Sequence, residues 1–339
     1  MSEQSQVISK TAFITGGASG IGSALTSRLL EDGWYVFVAD KDVTSVKDTE
    51  KLRAVQCDTS SWESQVAAFR RAIYWRASGG GRIDLVAPIA GIGERQWLPF
   101  LEVSSAEKPQ EFTKPDLTCL EVDLTGVLYT VAIAVQHFRR QPRTGDGLLG
   151  RIGLVASICG LYCVPSLPIY TAAKHALVGL TRSYGKLLSD EGITVNALAP
   201  NVVQTNISSP VFYEQLAIQG LLTPMDGLMD AFKTIVESQC SGEVFECGPA
   251  GGWTRSKATE YLDSKSANPM ISQHSIAESS VIMSGTHQQG TVDSAATAPT
   301  RQPGNVENNN PVPLGYAITM WLHRHTTHRR APFAHRRRP

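Results

Sequence analysis

A hydroxyl, a phenol and an ammonium group follow one another closely along this chain, at Ser157, Tyr170 and Lys174. If Tyr170 opens a helix, Lys174 lies one turn further on the same face, so its charge can approach the phenol. A positive charge there favours phenolate and lowers the pKa of the phenol from about 10 toward the working pH of a general acid and base. The spacing predicts an enzyme in which Tyr170 transfers a proton, although such a pair is also common on helix surfaces.

A glycine-rich turn near the N-terminus follows a short apolar strand at residues 11–15 and precedes a helical pattern at residues 23–31. The turn has the sequence Gly16-Gly-Ala-Ser-Gly-Ile-Gly22. Glycines let the backbone come close to a pyrophosphate, and the first turn of a helix offers it unpaired N–H groups and a positive dipole end. The G-x-x-x-G-x-G spacing differs from the commoner G-x-G-x-x-G, and we interpret it as a variant of the same dinucleotide-binding arrangement.

Asp40 lies just past a second apolar strand at residues 34–39, at the distance from the glycine turn where a ribose contact is expected. A carboxylate there accepts hydrogen bonds from both ribose hydroxyls of NAD, whereas the 2′-phosphate of NADP meets like charge. The position predicts NAD as the cofactor. NADP stays open because Lys41 is adjacent, and Asp40 can also be an ordinary turn residue.

With these residues in place, the chain resembles the short-chain dehydrogenase/reductase family from about Lys10 to Asp263. The resemblance rests on motifs that occur in order: residues 15–22, Asp58, Ala90-Gly91, residues 122–126, Ser157, Tyr170-x-x-x-Lys174 and residues 200–205. In this family the serine orients the substrate oxygen and the tyrosine transfers the proton. The lysine lowers the tyrosine pKa and holds the nicotinamide ribose. The resemblance implies that these roles fall to Ser157, Tyr170 and Lys174.

The resemblance also implies which residues contact the nucleotide. Asp58, which follows a strand at residues 52–57, matches the family's contact to the adenine ring. Ile21, Val203 and Thr205 match positions that line the pyrophosphate and the nicotinamide. The remaining members of the implied set are Gly16, Ser19, Gly20, Gly22, Asp40, Ala90, Gly91, Tyr170 and Lys174.

Three positions depart from the family pattern. Ile89 precedes Ala90 where asparagine is usual, which replaces an amide hydrogen bond by apolar contact. Asp123 stands where the family has an asparagine thought to hold a water in the proton relay from the lysine. A carboxylate accepts from such a water without donating, and if ionised it raises the pKa of Lys174, so Asp123 joins the catalytic candidates. Asn201 replaces a glycine, and asparagine tolerates a left-handed backbone there.

Strands and helical segments alternate along the chain, which predicts an α/β fold with a Rossmann-type, doubly wound parallel sheet in a single domain. Strands are expected at residues 11–15, 34–39, 52–57, 83–90, 151–156, 193–198 and 243–247. The catalytic domain is predicted to span residues 1–263. Residues 264–339 are rich in polar residues, glycine and proline without sustained periodicity, which predicts a low-complexity, disordered C-terminal tail.

The 339 residues contain 31 basic and 31 acidic side chains, and this balance argues against a nucleic-acid partner. An arginine-rich end at residues 324–338 leaves a basic arm for nucleic acid or nuclear import as the less favoured alternative. Neither a long apolar run nor an N-terminal signal is present, so we expect a soluble, cytoplasmic protein without a membrane partner. The six cysteines lack zinc spacing, so we expect buried thiols and no metal, although Cys159 and Cys163 can instead line a substrate pocket.

The segment at residues 205–232 matches the substrate lid of the family. It carries the apolar residues Leu216, Ile218, Leu221, Leu222, Met225, Leu228, Met229 and Phe232. An apolar lid favours a bulky apolar secondary alcohol or ketone, such as a terpenoid, polyketide, steroid or fatty-acid derivative, and the pattern most resembles the NAD-linked, 15-hydroxyprostaglandin dehydrogenase-like members. Some of these residues can pack on the core or at a subunit interface instead.

Two further expectations concern assembly and activity. The resemblance implies a homodimer or homotetramer formed through helices near residues 116–139 and 168–188. The alternative to an oxidoreductase is a non-catalytic, nucleotide-binding redox regulator, in which Asp123 and Ile89 have impaired the chemistry but the nucleotide site remains.

Overall fold

A single mixed sheet forms the centre of the computed structural model, which describes residues 10–76, 80–98 and 112–260. Its strands in this part of the chain are β1 (Thr11–Thr15), β2 (Tyr35–Asp40), β3 (Leu52–Gln56), β4 (Leu85–Pro88), β5 (Gly150–Val155), β6 (Ile193–Pro200), β7 (Val244–Cys247) and β8 (Trp253–Arg255). The strand order is β3-β2-β1-β4-β5-β6-β7-β8. The strands β1 to β7 are parallel, and β8 pairs antiparallel with β7.

Helices connect the parallel strands and cover both faces of the sheet. They are α1 (Gly20–Glu31), α2 (Trp62–Trp75), α3 (Thr118–Leu120), α4 (Val127–Phe138), α5 (Pro168–Ser189), α6 (Pro210–Ile218) and α7 (Met225–Glu237). A π-helical turn, Glu121–Gly126, joins α3 to α4, and a 3-10 turn, Ile158–Gly160, follows β5.

Two apolar layers hold these helices on the sheet. On one face, Phe13 of β1 packs with Phe69 of α2 and with residues of α4 and α5. On the other face, Ile14 packs with Leu25 of α1 and Phe232 of α7. Because successive side chains of a strand point to opposite faces, adjacent residues of β1 serve both layers. Strands buried on both faces are typical of parallel sheets, which explains the unbroken apolar runs in the sequence.

The predicted α/β fold with a doubly wound, Rossmann-type sheet is confirmed, with local differences at strand ends. Strand β4 is shorter than predicted because the N–H groups of Ile89 and Ala90 both donate to the Thr15 carbonyl, at 3.1 and 3.0 Å. Strand β6 is longer than predicted, because Pro200 still pairs with Cys247. The antiparallel strand β8 was not predicted from the sequence.

The segment from Thr118 to Phe138 has the length and mean hydropathy, 1.6, of a membrane-spanning helix, and no second such segment occurs in the described ranges. One side of it packs in the core through Val127, Val131 and Phe138. A helix that covers a sheet in this way needs no membrane to explain its composition. The described residues from Lys10 to Ser256 belong to one packed unit, and Lys257 begins a second unit, described here as far as Glu260. The predicted tail from residue 264 lies outside the described residues.

Candidate active site

The carboxyl ends of the parallel strands open into one cleft with a volume of about 640 Å³. Strand β1 has β2 on one side and β4 on the other, and open α/β sheets bind their ligands where the strand order reverses in this way. The cleft is lined by every site residue predicted from the sequence: Gly16, Ser19, Gly20, Ile21, Gly22, Asp40, Asp58, Ala90, Gly91, Asp123, Ser157, Tyr170, Lys174, Val203 and Thr205. The fold brings these residues together, and their individual roles stay predictions.

The glycine turn after β1 has a shape that only glycine allows at two points. Gly16 has a φ of +71°, and a Cβ there would lie 2.6 Å from the backbone of Ala90. A Cβ on Gly22 would lie 2.0 Å from the Gly16 carbonyl oxygen. Ser19 makes no side-chain cap at the start of α1, so the first N–H groups of the helix remain available at the cleft. This cradle fits a pyrophosphate.

Asp40 and Asp58 lie at the ends of neighbouring strands, on the side of the cleft where the sequence predicts the adenosine. Asp40 accepts hydrogen bonds from the N–H groups of Ala18 at 2.9 Å and Asp42 at 3.2 Å, so it also holds the glycine turn. Asp58 accepts from the Ser60 hydroxyl at 2.7 Å and its N–H at 3.0 Å, which lowers the pKa of Asp58. Lys41 lines the same cleft, so the geometry leaves the choice between NAD and NADP open.

Helix α5 and strand β5 supply the three residues predicted for proton transfer. Tyr170 lies in the first turn of α5, and Lys174 Nζ lies 5.2 Å from the centre of the Tyr170 ring. Ser157 follows β5, where its hydroxyl caps the 3-10 turn by accepting a hydrogen bond from the Cys159 N–H at 3.1 Å. The predicted helical spacing of Tyr170 and Lys174 therefore holds.

Asp123 is fully buried in the π-helical turn, beside Lys174. Its Oδ2 atom lies 3.0 Å from Lys174 Nζ, and its Oδ1 atom accepts a hydrogen bond from the Ile92 N–H at 2.8 Å. Lys174 Nζ also donates to the Val155 carbonyl at 3.3 Å. The ammonium is therefore shared between the carboxylate, a strand carbonyl and the face of the Tyr170 ring.

Burial is the largest single influence on the pKa values of Tyr170, Asp123 and Lys174. It raises the pKa of the Tyr170 phenol above its ordinary value, and the opposing effects of Lys174 and Ser157 are smaller. Lys174 does lower this pKa, as expected, but the net result is a rise and not a fall toward neutrality, because burial outweighs the ammonium and Asp123 opposes it further. Burial likewise raises the pKa of Asp123. Burial alone would lower the pKa of Lys174, but Asp123, Tyr170 and Cys119 together outweigh it and the pKa is raised.

Much of the remaining cleft wall is apolar. It includes Ile92, Ile158, Val164, Leu167, Val202, Ile207, Leu216 and Leu221. Of the predicted lid residues, Leu216 and Leu221 line the cleft, whereas Leu228 and Phe232 are buried in the core and Ile218 is exposed. Phe232 packs on the sheet because α7 lies against it, in line with the alternative that some lid residues pack on the core.

The cysteines differ partly from the prediction. Cys159 is buried and lines the cleft, but Cys163 is exposed, because it lies in the loop between the 3-10 turn and α5. The expectation of buried thiols is therefore wrong for Cys163, and Cys240 is only partly buried. Within the described residues, no group of three or more His, Cys, Asp or Glu side chains is placed to hold a metal ion.

Sequence reasoning missed three polar residues of the cleft wall. Glu94 accepts hydrogen bonds from the N–H groups of Tyr170 at 2.7 Å and Ile169 at 3.3 Å. The Tyr162 hydroxyl donates to both carboxylate oxygens of Glu246, at 2.9 and 3.0 Å. Neither contact has a local signal, because each joins residues more than seventy positions apart. The one sequence feature that could have indicated Glu94 is its position, as a charged residue shortly after the Ala90-Gly91 motif.

Comparison with known proteins identifies the family. The sequence profile described as short chain dehydrogenase matches residues 10–216, which is more than half of the chain. The chain therefore belongs to the short-chain dehydrogenase/reductase family. It is an oxidoreductase that acts on CH–OH groups or the corresponding carbonyls.

Fungal dehydrogenases are among its similar relatives. A 5'-hydroxyaverantin dehydrogenase from Dothistroma septosporum is 34% identical over 220 residues, which cover 60% of this chain and 70% of the relative. The NADP-dependent dehydrogenase clz5 from Cochliobolus lunatus is 31% identical over 214 residues, covering 59% of this chain and 73% of the relative. Among solved structures, 3-ketoacyl-(acyl-carrier-protein) reductase from Brucella melitensis, complexed with NADH, has a TM-score of 0.58 at 24% identity. That match covers 70% of this chain and 97% of the reductase, and it supports the fold.

Proposed function

We propose that this protein transfers a hydride between a bulky apolar secondary alcohol, or its ketone, and the nicotinamide of NAD. The observation that carries the proposal is the placement of Ser157, Tyr170 and Lys174 on one apolar cleft, with the ammonium 5.2 Å from the phenol ring. The bound nicotinamide supplies the hydride acceptor or donor. This chain supplies the binding cradle and the proton transfer.

The proposed catalytic residues divide the tasks of alcohol oxidation among them. Ser157 orients the substrate oxygen toward the phenol. Tyr170, as phenolate, takes the hydroxyl proton, and it returns a proton in the reverse direction. Lys174 stabilises the phenolate and holds the nicotinamide ribose. Asp123 accepts from the relay water and sets the charge that Lys174 presents to the phenol.

The cofactor proposal rests on the glycine turn and on Asp40. The turn admits a pyrophosphate at the start of α1 because Gly16 and Gly22 have no side chains, and the backbone is too close at both positions for a Cβ to fit. Asp40 opposes the 2′-phosphate of NADP by charge repulsion, and Asp58 is proposed to contact the adenine. Lys41 reduces this discrimination, so NADP is the second-choice cofactor.

The apolar wall supports the substrate class. Leu167, Val202 and Leu221 present hydrocarbon surface to the cleft, and an apolar substrate gains by leaving water to contact them. A terpenoid, polyketide, steroid or fatty-acid-derived alcohol meets this description. We further propose that the enzyme is cytoplasmic.

The same proposal includes a homodimer or homotetramer. Leu128 on α4 is 40% exposed and Leu187 on α5 is 43% exposed, which leaves apolar surface on both long helices of the predicted interface. Burial of such surface against a second copy is favourable. Sedimentation of the full chain measures the oligomeric state directly, and a monomer at micromolar concentration contradicts this part.

The test is turnover of a panel of apolar secondary alcohols and ketones with NAD and NADP. Tyr170→Phe keeps the ring but removes the transferable proton, so kcat should fall by about 10²–10⁴-fold while NAD affinity stays within a few fold. Activity close to wild type in this variant would remove Tyr170 from its proposed role. The Tyr184→Phe variant, a matched change further along α5 and outside the cleft, should retain activity.

A non-catalytic redox regulator is the competing function. The 3.0 Å ion pair with Asp123 favours it, because it draws the ammonium charge away from the phenol. A regulator would bind the nucleotide but turn over no member of the panel. Nucleotide binding measured by calorimetry, together with the turnover assay, separates the two functions.

A further inference from the structure

Glu94 caps the helix that carries Tyr170, although it belongs to a different part of the chain. Helix α5 begins with Pro168, and Leu167 before it provides no side-chain cap. No acidic residue lies in the first turn of the helix itself. The carboxylate of Glu94 instead accepts from the N–H groups of Tyr170 at 2.7 Å and Ile169 at 3.3 Å. Tyr170, the residue proposed to transfer the proton, is therefore hydrogen-bonded to Glu94 through its own backbone N–H group.

The segment at residues 91–94 connects Tyr170 with the rest of the proposed relay. Its Ile92 N–H donates to Asp123, which in turn pairs with Lys174. The packing is close, because a Cβ on Gly91 would lie 3.1 Å from Asp123 Oδ2. Since Gly91 also lines the cleft proposed to hold the nucleotide, this segment fixes the positions of Tyr170 and Asp123 relative to that part of the cleft.

A carboxylate is a costly way to cap a helix at this place. Glu94 is 7% exposed, and burial raises its pKa even though it accepts two N–H hydrogen bonds. Elsewhere in the described chain neutral hydroxyls do the same work: Ser61 caps α2 and Ser209 caps α6. Helix stability alone therefore does not require a buried charge beside the relay.

We propose that Glu94 is a positioning residue for proton transfer, which fixes the backbone of Tyr170 and adds negative charge to the relay through Asp123. This inference rests on the proposed oxidoreductase function. A displacement of about 1 Å at a reacting group is enough to cost about 100-fold in rate, so the cap acts on kcat. The nucleotide cradle on β1 and α1 does not involve Glu94, so nucleotide affinity is unaffected.

The charge of Glu94 acts on several groups of the relay region: Asp123 in the π-helical turn, Cys119 on α3 and Cys159 after β5. The positive charges among these groups are Lys174 on α5 and Arg95, which follows Glu94. Negative charge disfavours phenolate, so removing the charge of Glu94 makes phenolate available at lower pH. The rise of kcat with pH in alcohol oxidation therefore shifts to lower pH.

Three variants separate positioning from stability. Glu94→Ala removes the cap, Glu94→Gln keeps an acceptor without charge, and Ser61→Ala removes a neutral cap from α2 as the matched control. We expect kcat of Glu94→Ala to fall by about 10–100-fold with KM for NAD within about threefold. In Glu94→Gln, kcat should return to within about threefold of the wild-type value. The rise of kcat with pH should shift to lower pH by about half a pH unit. Ser61→Ala should lower the melting temperature without changing kcat.

Two outcomes overturn the inference. The first is that Glu94→Ala has the same kcat as Ser61→Ala. The second is that the dependence of kcat on pH is the same in Glu94→Gln as in the wild type. If Glu94→Ala does not fold, the pH profile of Glu94→Gln decides.

If wild type binds NAD without turnover, the proposed function fails, and hydrogen exchange decides the Glu94 contact instead. The amides of Ile169 and Tyr170 should then exchange about tenfold faster in Glu94→Gln, whose amide is a weaker acceptor than a carboxylate, but not in Ser61→Ala. Equal exchange in all three proteins overturns the inference.

Discussion

Asp123 and Lys174 form a fully buried ion pair at the centre of the proposed relay. A buried pair loses hydration on both partners, so its attraction serves largely to offset that cost. The pair raises the pKa of Lys174 and, through Asp123, helps to raise that of Tyr170. A carboxylate at position 123 therefore makes the phenol a weaker acid than an asparagine would.

The first prediction is that Asp123→Asn retains or raises kcat for alcohol oxidation. The amide can still accept from the Ile92 N–H, and removal of negative charge lowers the pKa of Tyr170, so the rise of kcat should move to lower pH. Folding stability should fall, by at most about 3–5 kcal/mol, because Lys174 loses its counter-charge. The measurements are kcat against pH and thermal unfolding.

A control for this prediction is Asp116→Asn, which changes a carboxylate outside the cleft that accepts from the Thr118 N–H at 2.9 Å. It should leave the pH profile unchanged. A loss of about 100-fold or more in Asp123→Asn at every pH would instead make Asp123 a proton-carrying group.

The second prediction concerns the cofactor. Asp40→Ala should narrow the preference for NAD over NADP by about tenfold, equivalent to about 1.4 kcal/mol, because the 2′-phosphate no longer meets a carboxylate. NAD affinity should also fall, since the Ala18 N–H loses its acceptor. Dissociation constants for both nucleotides provide the measurement. Asp42→Ala is the control, because Asp42 is exposed and outside the cleft.

For the cofactor prediction, the contrary result is a wild-type enzyme that prefers NADP by tenfold or more. Lys41 would then be the dominant neighbour of the ribose, and Asp40 would be chiefly the residue that holds the glycine turn.

At the scale of elements, the junction of the glycine turn with α1 leaves no space at Gly22. The third prediction is that Gly22→Ala abolishes nucleotide binding and lowers stability, because a Cβ lies 2.0 Å from the Gly16 carbonyl and the turn must move. Gly179→Ala in α5 is the matched change, since its Cβ has no neighbour within 4 Å. It should raise stability by about 0.5–1 kcal/mol through helix propensity.

Calorimetry with NAD and thermal unfolding measure both glycine variants. Nucleotide binding by Gly22→Ala at wild-type strength would mean that the turn adapts without loss of its shape. A destabilised Gly179→Ala would indicate that α5 approaches a second copy closely at this position.

At the scale of the whole molecule, the fourth prediction is that a chain ending at Asp263 folds and keeps its kcat within about twofold, because no residue that lines the cleft in the described structure lies beyond Glu246. A chain ending at Gly242 is the control. It lacks β7, whose Val244, Phe245 and Cys247 are buried, so it should not fold. Circular dichroism and turnover distinguish the two. Loss of activity in the longer chain would assign residues 264–339 a role in catalysis or assembly.

The sequence by itself determined the features that short-range pattern encodes. The strand and helix order, the glycine turn and the spacing of Tyr170 and Lys174 all follow from local periodicity and from backbone shapes that only glycine adopts. Asp123 was also visible, because it departs from a family motif. Strand ends do not follow from local pattern alone, since the end of β4 depends on the hydrogen bond from the Ile89 N–H to the Thr15 carbonyl of a neighbouring strand.

Only the tertiary structure decided how the candidate residues act on one another. The cap of Glu94 on Tyr170 joins the loop after β4 to the first turn of α5, and the ion pair of Asp123 with Lys174 joins two helical segments. The raised pKa of Tyr170 depends on burial from several elements, so no spacing along the chain reveals it. The packing of Phe232 in the core, rather than on the substrate, was likewise decided by the position of α7. Such contacts depend on the order of the strands and on side-chain packing between distant segments, which local sequence patterns do not encode.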